Sequence, residues 1–289
     1  MPACITHYHF AKSVLEALPA QKDLNLPAFL WGAQGPDFLF CHRYLPVMRG
    51  ESIQAYAGRL HGENPVKTLG AARDFCKEHE DPAYRSYVFG LFCHYALDSV
   101  AHPYINYLAA QMQAERPVET ITTMHGEVEG ALDAITLRRE TGKLPSEFPL
   151  RLCFPKNEPV QRRIAKLYRY MILQVFGEEV AEDALYQAAK DATLIFTLMT
   201  DRTGLKKRLF DMIERGKKHT ISSHIVPITE DEEIDYANVR EGTWTADDGT
   251  ESEKSFFALW DDAKELAVSL ISGFPDCDLK ELTHEKPFG

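Results

Sequence analysis

Apolar residues recur at three- and four-residue intervals along most of the chain, the spacing of a helix with one buried face. Alternating apolar and polar runs of strand length are scarce, so the pattern predicts an all-α fold. No change in composition is typical of a linker, and we expect a single compact multi-helix domain over residues 1–289. The apolar positions that define the pattern include Phe10, Val14 and Leu18; Val66, Leu69, Ala72 and Phe75; and Ile164, Leu167, Met171 and Val175.

The C-terminal half contains further helical patterns and one irregular segment. Residues 179–214 predict two helices divided near Thr203-Gly204, and residues 255–272 predict a last amphipathic helix. Residues 225–254 lie between them and form an acidic stretch with a single tryptophan, Trp244. Long irregular segments in compact domains are usually functional or mobile, but the composition favours a solvated acidic surface loop.

The composition is that of a globular protein, with 289 residues of which 45% are hydrophobic and 26% charged. Six cysteines without a Cys-x-x-Cys pair indicate free thiols. The N-terminus lacks the features of a secretory signal and no apolar run could span a bilayer, so we expect a cytoplasmic protein without a transmembrane segment. The net charge of −11 argues against nucleic-acid binding and against electrostatic docking on an anionic membrane. It leaves the oligomeric state open.

The clearest candidate for chemistry is a stripe formed by His94, Asp98 and His102 at four-residue spacing. On a helix each such step advances the side chain by about 40°, so the three groups share one face. Imidazole and carboxylate are good zinc ligands, and this geometry suits a metal site. Pro103 disfavours the helical conformation at His102, which we expect at a helix end or kink, turned toward a different metal. The alternative is a hydrogen-bonded His–Asp network without metal.

A second stripe follows the first along the chain. His125, Glu129 and Asp133 have the same four-residue spacing on another predicted helix. Two such stripes together favour metal binding over a purely structural network. Asp133 is interpreted as a carboxylate that hydrogen-bonds a ligand histidine, as metal sites commonly require.

Further candidates lie upstream of both stripes. His7 and His9 precede the first predicted helix, Asp37 lies in a Gly-Pro-Asp turn, and His61 ends a short helix. Each of these is weak evidence alone. The remaining histidines are interpreted as residues outside any site. His42, His79, His219 and His284 are expected at the surface, and His224 is expected to be incidental.

The order of these elements resembles the zinc-dependent phospholipase C family, whose fold and metal arrangement the nuclease P1-type enzymes share. The resemblance covers about residues 1–135: an N-terminal histidine, Gly-Pro-Asp, another histidine, His-x-x-x-Asp-x-x-x-His-Pro and His-x-x-x-Glu. The segment from Cys93 to Tyr104 is its most specific part. The resemblance implies a helical domain of the phospholipase C/P1 nuclease type and a metal-dependent phosphoric-ester hydrolase.

The resemblance also implies ligands for two or three Zn²⁺ ions. The family's third site is completed by a processed N-terminal tryptophan, whereas this chain begins Met-Pro, and His9 is a candidate substitute ligand. The implied ligands are Asp37, His61, His94 and Asp98 for the first ion; His102, His125 and Glu129 for the second; and His7, with Asp98 as a bridging carboxylate, for the third.

The implied reaction is hydrolysis of a phosphoester by a metal-activated water that attacks phosphorus. Asp37 would bind metal or orient that water. The substrate would be a small phosphoester or a phospholipid. A choline headgroup would need aromatic faces, although helical aromatics more often belong to the core; the candidates are Phe38, Tyr44, Tyr56, Tyr95 and Tyr104.

Two alternatives to a phospholipase C-like hydrolase remain open from the sequence. One is a non-catalytic or structural metal-binding protein of the same fold, in which protein ligands would close the coordination shell. The other is a phosphodiesterase or phosphatase that acts on a soluble intracellular substrate.

Overall fold

The computed structural model describes residues 4–45, 48–215, 225–226 and 233–289, and across these residues the chain is mostly helical. The predicted all-α fold is confirmed. Two short strands, β1 (Trp244–Thr245) and β2 (Glu251–Ser252), form an antiparallel hairpin. The helices are α1 (Cys4–Ala17), α2 (Leu26–Ala33), α3 (Ala55–Gly62), α4 (Pro65–Glu78), α5 (Pro82–Glu115), α6 (Ile121–Thr141), α7 (Glu158–Phe176), α8 (Glu182–Met199), α9 (Leu205–Glu214), α10 (Phe256–Ser272) and α11 (Leu279–Thr283), with short 3-10 helices at Gly35–Cys41, Pro145–Glu147 and Leu150–Leu152.

The long helix α5 forms the core of the fold. Asp81 caps its N-terminus by accepting a hydrogen bond from the backbone N–H of Ala83. Every residue from 86 to 99 is buried, because α1, α2, α6 and α10 pack around this part of the helix. At the crossing with α2, a Cβ on Gly90 would lie 2.1 Å from the carbonyl oxygen of Phe29, so only glycine allows the two backbones to approach this closely.

Helix α5 does not end at His102, so of the two expectations from Pro103, a helix end or a kink, the helix end is wrong. The proline lies inside the helix, which continues to Glu115. Proline removes one intrahelical hydrogen bond, but burial of the following turns stabilises the helix, and tertiary packing overrides the local preference. The buried residues after the proline are Tyr104, Ile105, Ala109 and Met112. His102 therefore stays in register, one turn after Asp98.

The later helices follow the predicted boundaries. Helix α8 ends at Met199 and α9 begins at Leu205, after Gly204 with a φ of 70°, so the predicted division is confirmed. Helix α10 begins after Ser255, whose hydroxyl oxygen accepts a hydrogen bond from the backbone N–H of Ala258. The sequence did not predict the short helix α11.

Part of the irregular segment 225–254 packs against α5. The Tyr104 hydroxyl donates a hydrogen bond to the carbonyl oxygen of Tyr236 (2.8 Å), and its ring centroid lies 5.5 Å from that of Trp244. Tyr236 and Trp244 are both buried. The interpretation of this segment as a solvated loop is therefore wrong at these positions.

One cluster of buried apolar residues extends from Cys4 to Phe288. The six cysteines have free thiols, as predicted, and all except Cys76 are buried. None of the helices within the described ranges combines the length and the apolar character that crossing a bilayer requires.

Candidate metal centre

All eight predicted ligand residues come together on one side of α5. Helix α5 itself carries three of them, and the others come from α1, the 3-10 helix at Gly35–Cys41, α3 and α6. Their ligand atoms form three groups, each with all atoms within 4.8 Å of one another. The groups are His7, His94 and Asp98; Asp37, His61 and His94; and His102, His125 and Glu129.

The Asp98 carboxylate lies between these groups. Its Oδ1 is 3.1 Å from Nε2 of His7, and its Oδ2 is 3.1 Å from Nε2 of His94. Nε2 of His61 lies 3.6 Å from Oδ2, and Nε2 of His102 lies 4.0 Å from Oδ1. A single buried carboxylate therefore contacts histidines of all three groups, as a bridging ligand would.

The pKa values of Asp98 and its neighbouring histidines are set by burial and by their mutual charges. Burial acts to raise the pKa of Asp98, but the histidines around it, His94 foremost, lower that pKa well below its ordinary value. Burial acts to lower the pKa of His7, yet the Asp98 carboxylate raises it overall. Burial dominates at His94 and lowers its pKa to about 4. The centre therefore keeps Asp98 ionised and His94 neutral, the states in which both bind metal.

Asp37 and His61 form the outer side of the first group. Oδ1 of Asp37 lies 3.1 Å from Nε2 of His61. Burial acts to lower the pKa of His61, but the hydrogen bond and charge of Asp37 raise it overall. Nε2 of His61 is also 3.3 Å from Nε2 of His94, and two imidazole lone pairs at this distance repel unless a proton or a cation lies between them. This donor set fits a divalent metal that prefers nitrogen and oxygen ligands, such as Zn²⁺.

The second group lies on α5 and α6. Oε1 of Glu129 is 3.3 Å from Nε2 of His125 and 3.9 Å from Nε2 of His102. Burial acts to raise the pKa of Glu129, but the two histidines lower it far below its ordinary value. Burial acts to lower the pKa of His102, but Asp98 and Glu129 raise it to about 9. His102 thus lies together with His125 and Glu129 in the second group.

Three of the histidines have their rings fixed by a hydrogen bond at Nδ1. A neutral imidazole that donates from Nδ1 presents its Nε2 lone pair in the opposite direction, the arrangement typical of metal ligands. The pairs are His61 with the Ala57 carbonyl oxygen (2.7 Å), His102 with the Phe288 carbonyl oxygen (3.1 Å) and His125 with Asn106 Oδ1 (3.1 Å).

Gly35 gives the His94 ring its space. A Cβ at Gly35 would lie 2.1 Å from Cδ2 of His94, and the glycine has a φ of 50°, which other residues rarely adopt. The glycine of the Gly-Pro-Asp motif therefore positions a neighbouring ligand as well as starting the turn that carries Asp37.

Asp133 does not contact a histidine, so its predicted role is wrong. Its carboxylate accepts hydrogen bonds from the backbone N–H groups of Thr6 (2.7 Å) and Ile5 (3.2 Å). Burial raises the pKa of Asp133 to about 7. It holds the first turn of α1, the turn that carries His7, and the nearby charge of Glu129 contributes to its raised pKa.

The histidines that are not among the candidate ligands are His9, His42, His79, His219, His224 and His284. His9 belongs to none of the ligand groups found in the described ranges, and burial lowers its pKa to about 4. His42 was predicted at the surface but is buried, and its Nδ1 accepts a hydrogen bond from the backbone N–H of Ile53. His79 is half-buried and His284 is exposed. His219 and His224 lie outside the described residues.

The residues that contact the ligands and were not predicted include Asn106 and Phe288. Asn106 continues the four-residue stripe of α5 beyond His102, so the spacing could have indicated it. No sequence feature indicated that Phe288 would contact the ligands. Its backbone N–H donates to the carbonyl oxygen of His61 (3.1 Å), and its buried ring lies 5.5 Å from His61 and 5.9 Å from His94, measured between centroids.

Seven of the eight candidate ligand side chains, all except the fully buried His94, line an open cavity of about 500 Å³. Of the five aromatic candidates for a headgroup pocket, only Tyr44 lines this cavity. Phe40, which the sequence did not single out, lines it too and stacks on His61 with centroids 6.0 Å apart. Phe38, Tyr95 and Tyr104 are buried, in agreement with the core role that the sequence favoured for helical aromatics, and Tyr56 binds Glu178.

Comparison with known proteins agrees with this geometry. The family model described as zinc-dependent phospholipase C matches residues 6–178, more than half of the chain and the whole of the segment that carries the eight ligand residues. No curated protein matches, and no solved structure does. The match and the arrangement of the metal-binding side chains together mean that this chain belongs to the zinc-dependent phospholipase C family.

Proposed function

We propose that this protein is a zinc-dependent hydrolase of phosphoesters with a phospholipase C-like mechanism. The observation that supports it best is that three groups of histidine and carboxylate atoms lie around Asp98, and that residues of each group line one open cavity. Structural zinc sites are closed by protein ligands, whereas catalytic sites leave a coordination position open to a cavity. The open cavity therefore favours catalysis over a purely structural role for the metals.

The proposed ligands follow the three groups of atoms. Asp98 would serve two ions, because each of its oxygens lies close to a different histidine. Two ions are the minimum and His7 supplies a ligand for a third. The proposed sets are Asp37, His61, His94 and Asp98; His102, His125 and Glu129; and His7 with Asp98.

Bound zinc supplies a water of lowered pKa and positive charge that neutralises phosphate oxygens. The side chains would orient the reacting atoms around that charge. Asp37 lines the cavity and contacts His61 through Oδ1. One of its carboxylate oxygens would bind metal, and the other would accept a hydrogen bond from the attacking water and so orient that water toward phosphorus.

The size of the cavity indicates which part of a substrate it binds. About 500 Å³ accommodates a phosphorylated headgroup, but not a diacylglycerol as well. The ester's larger apolar part would therefore remain outside the cavity. A soluble phosphodiester or phosphomonoester of similar headgroup size would fit equally well, and the assay below distinguishes these substrates.

The test combines metal content with hydrolysis. Zinc-reconstituted protein should contain at least two equivalents of zinc and hydrolyse bis(p-nitrophenyl) phosphate in a manner abolished by a chelator. Detergent-dispersed phosphatidylcholine and p-nitrophenyl phosphate, assayed in parallel, identify the substrate class. Asp98→Asn should lose zinc and activity, whereas Asp276→Asn, the same charge change at an exposed position, should lose neither. Fewer than two equivalents of zinc, or hydrolysis that persists without metal, would overturn the proposal.

A further inference from the structure

Helix α9 exposes a continuous apolar stripe. Its apolar residues occur at spacings i, i+4, i+7 and i+8, so they share one face. Proteins that remain monomeric in water rarely leave such a face uncovered. The stripe consists of Leu205, Leu209, Met212 and Ile213, with 65%, 50%, 66% and 56% of their surfaces exposed.

Basic side chains border this apolar stripe. At 100° per residue, Arg208 and Arg215 lie along one edge of the stripe and Lys206 along the other. All three are exposed, and the ammonium group of Lys206 also donates to the carbonyl oxygens of Leu198 and Thr200 at the end of α8. An apolar face with basic borders is the pattern of a helix that lies in the headgroup region of a membrane.

The two acidic residues of α9 lie on the opposite side of the helix, toward the protein. Glu214 is buried, and its charge contributes to raising the pKa of Tyr44, a residue that lines the metal cavity. Glu214 is therefore turned toward the protein, while the apolar stripe of α9 faces solvent.

We propose that α9 is a membrane-docking helix that binds the surface of a bilayer containing anionic lipid. The apolar stripe enters the boundary between headgroups and acyl chains, and Arg208 and Arg215 bind lipid phosphates. Exposed Leu198 of α8, bonded through its carbonyl to Lys206, extends the same surface. Membrane binding by α9 does not depend on the proposed function. That this binding brings the enzyme to a lipid substrate does rest on the proposed function.

Two electrostatic considerations favour a bilayer as the occupant. The net charge of −11 is spread over the whole chain, and at physiological salt charges act only over about 8 Å, so the local basic borders decide the contact. A second copy of the chain would bring Arg208 and Arg215 of both copies together without acidic partners on the stripe. An anionic lipid surface compensates these charges directly.

The experiment is co-sedimentation of the full chain with vesicles. One set contains phosphatidylcholine alone and the other an equimolar mixture of phosphatidylcholine and phosphatidylglycerol. We expect binding to the mixed vesicles, weakened at high salt. Arg208→Glu combined with Arg215→Glu should weaken it by at least about 25-fold, from about fivefold per arginine removed. Leu209→Ser combined with Met212→Ser should weaken it by at least about tenfold. Leu173→Ser, an exposed leucine of α7, is the matched control and should bind normally.

Three results would overturn the docking proposal. These are absence of binding to both vesicle types, equal binding by the α9 variants and the wild type, and a dimer in light scattering that the Leu209/Met212 variant abolishes. Hydrolysis of bis(p-nitrophenyl) phosphate separates this proposal from the proposed function. Vesicle binding by a wild type that hydrolyses nothing would support the docking proposal and contradict the proposed function. Hydrolysis by a wild type that does not bind vesicles would support the proposed function and contradict the docking proposal.

Discussion

The zinc-free protein should become less stable as the pH rises from about 6.5 to about 9, because His102 then loses its proton. The raised pKa has a structural cause: Nε2 of His102 lies 4.0 Å from Asp98 and 3.9 Å from Glu129, both buried carboxylates. A group whose pKa is higher in the folded than in the unfolded chain stabilises the fold when protonated. This contribution is complete below about pH 6.5 and is lost as the pH rises through about 9.

The magnitude follows from the shift. The pKa of His102 rises from 6.5 to about 9, and each pKa unit corresponds to about 1.4 kcal/mol, so the proton contributes about 3 kcal/mol to the free energy of unfolding. His7 and His61 also have raised pKa values and add to the loss in the same direction. We therefore expect the wild type to lose at least about 3 kcal/mol over this range.

Urea unfolding of the chelator-treated protein at about pH 6 and about pH 9.5 measures this loss. His102→Gln keeps a donor for the Phe288 carbonyl but cannot be charged. It should be about 3 kcal/mol less stable than the wild type at the lower pH and nearly equal at the higher one. Equal destabilisation at both pH values would refute the reasoning, since it would mean that packing and not charge explains the role of His102. Zinc should remove the loss, because metal binding requires neutral imidazole.

Two further predictions concern residues that position the ligands. Gly35→Ala should lower the free energy of unfolding by about 3 kcal/mol or more and weaken zinc binding, because the added methyl group meets the His94 ring. The control is Gly142→Ala, which is also at positive φ but faces open space. Urea unfolding should show a loss of only about 1 kcal/mol for this control, with zinc binding unchanged. Phe288→Ala should lower the free energy of unfolding by about 3–5 kcal/mol and weaken zinc binding, measured by chelator competition, by about 10- to 100-fold. Phe256 is equally buried, and Phe256→Ala should lower stability alone. Equal zinc affinity in the two variants would contradict this prediction.

Local spacing predicted much of the fold and of the candidate centre. The four-residue repeats on α5 and α6 follow from helix geometry, so His94, Asp98, His125 and Glu129 could be assigned to shared faces without knowledge of the tertiary structure. Helix ends with strong signals, such as Gly204, were also predictable. The grouping of these residues with more distant ones came from the family resemblance.

Features that depend on long-range packing could not be predicted. Pro103 signals a helix end locally, but the buried turns after it stabilise a continuous helix. Asp133 has the spacing of a ligand stripe and yet binds the backbone of α1, some 127 residues away in sequence. Phe288 reaches His102 across 186 positions, and no local pattern encodes such a contact. The burial of His42 could not be predicted either, because it depends on a contact with Ile53, whose backbone N–H donates a hydrogen bond to Nδ1 of His42.

The uninterrupted helix α5 has a consequence for how this centre can evolve and move. Because ligands of all three groups stand on successive turns, the offset between them is fixed at about 6 Å of helical rise for each four residues. A hinge between two lobes could not alter this offset, so opening and closing must be confined to the elements at the rim. Exchanges of residues other than the candidate ligands in α3, α6 or the 3-10 helix would leave the spacing of His94, Asp98 and His102 unchanged.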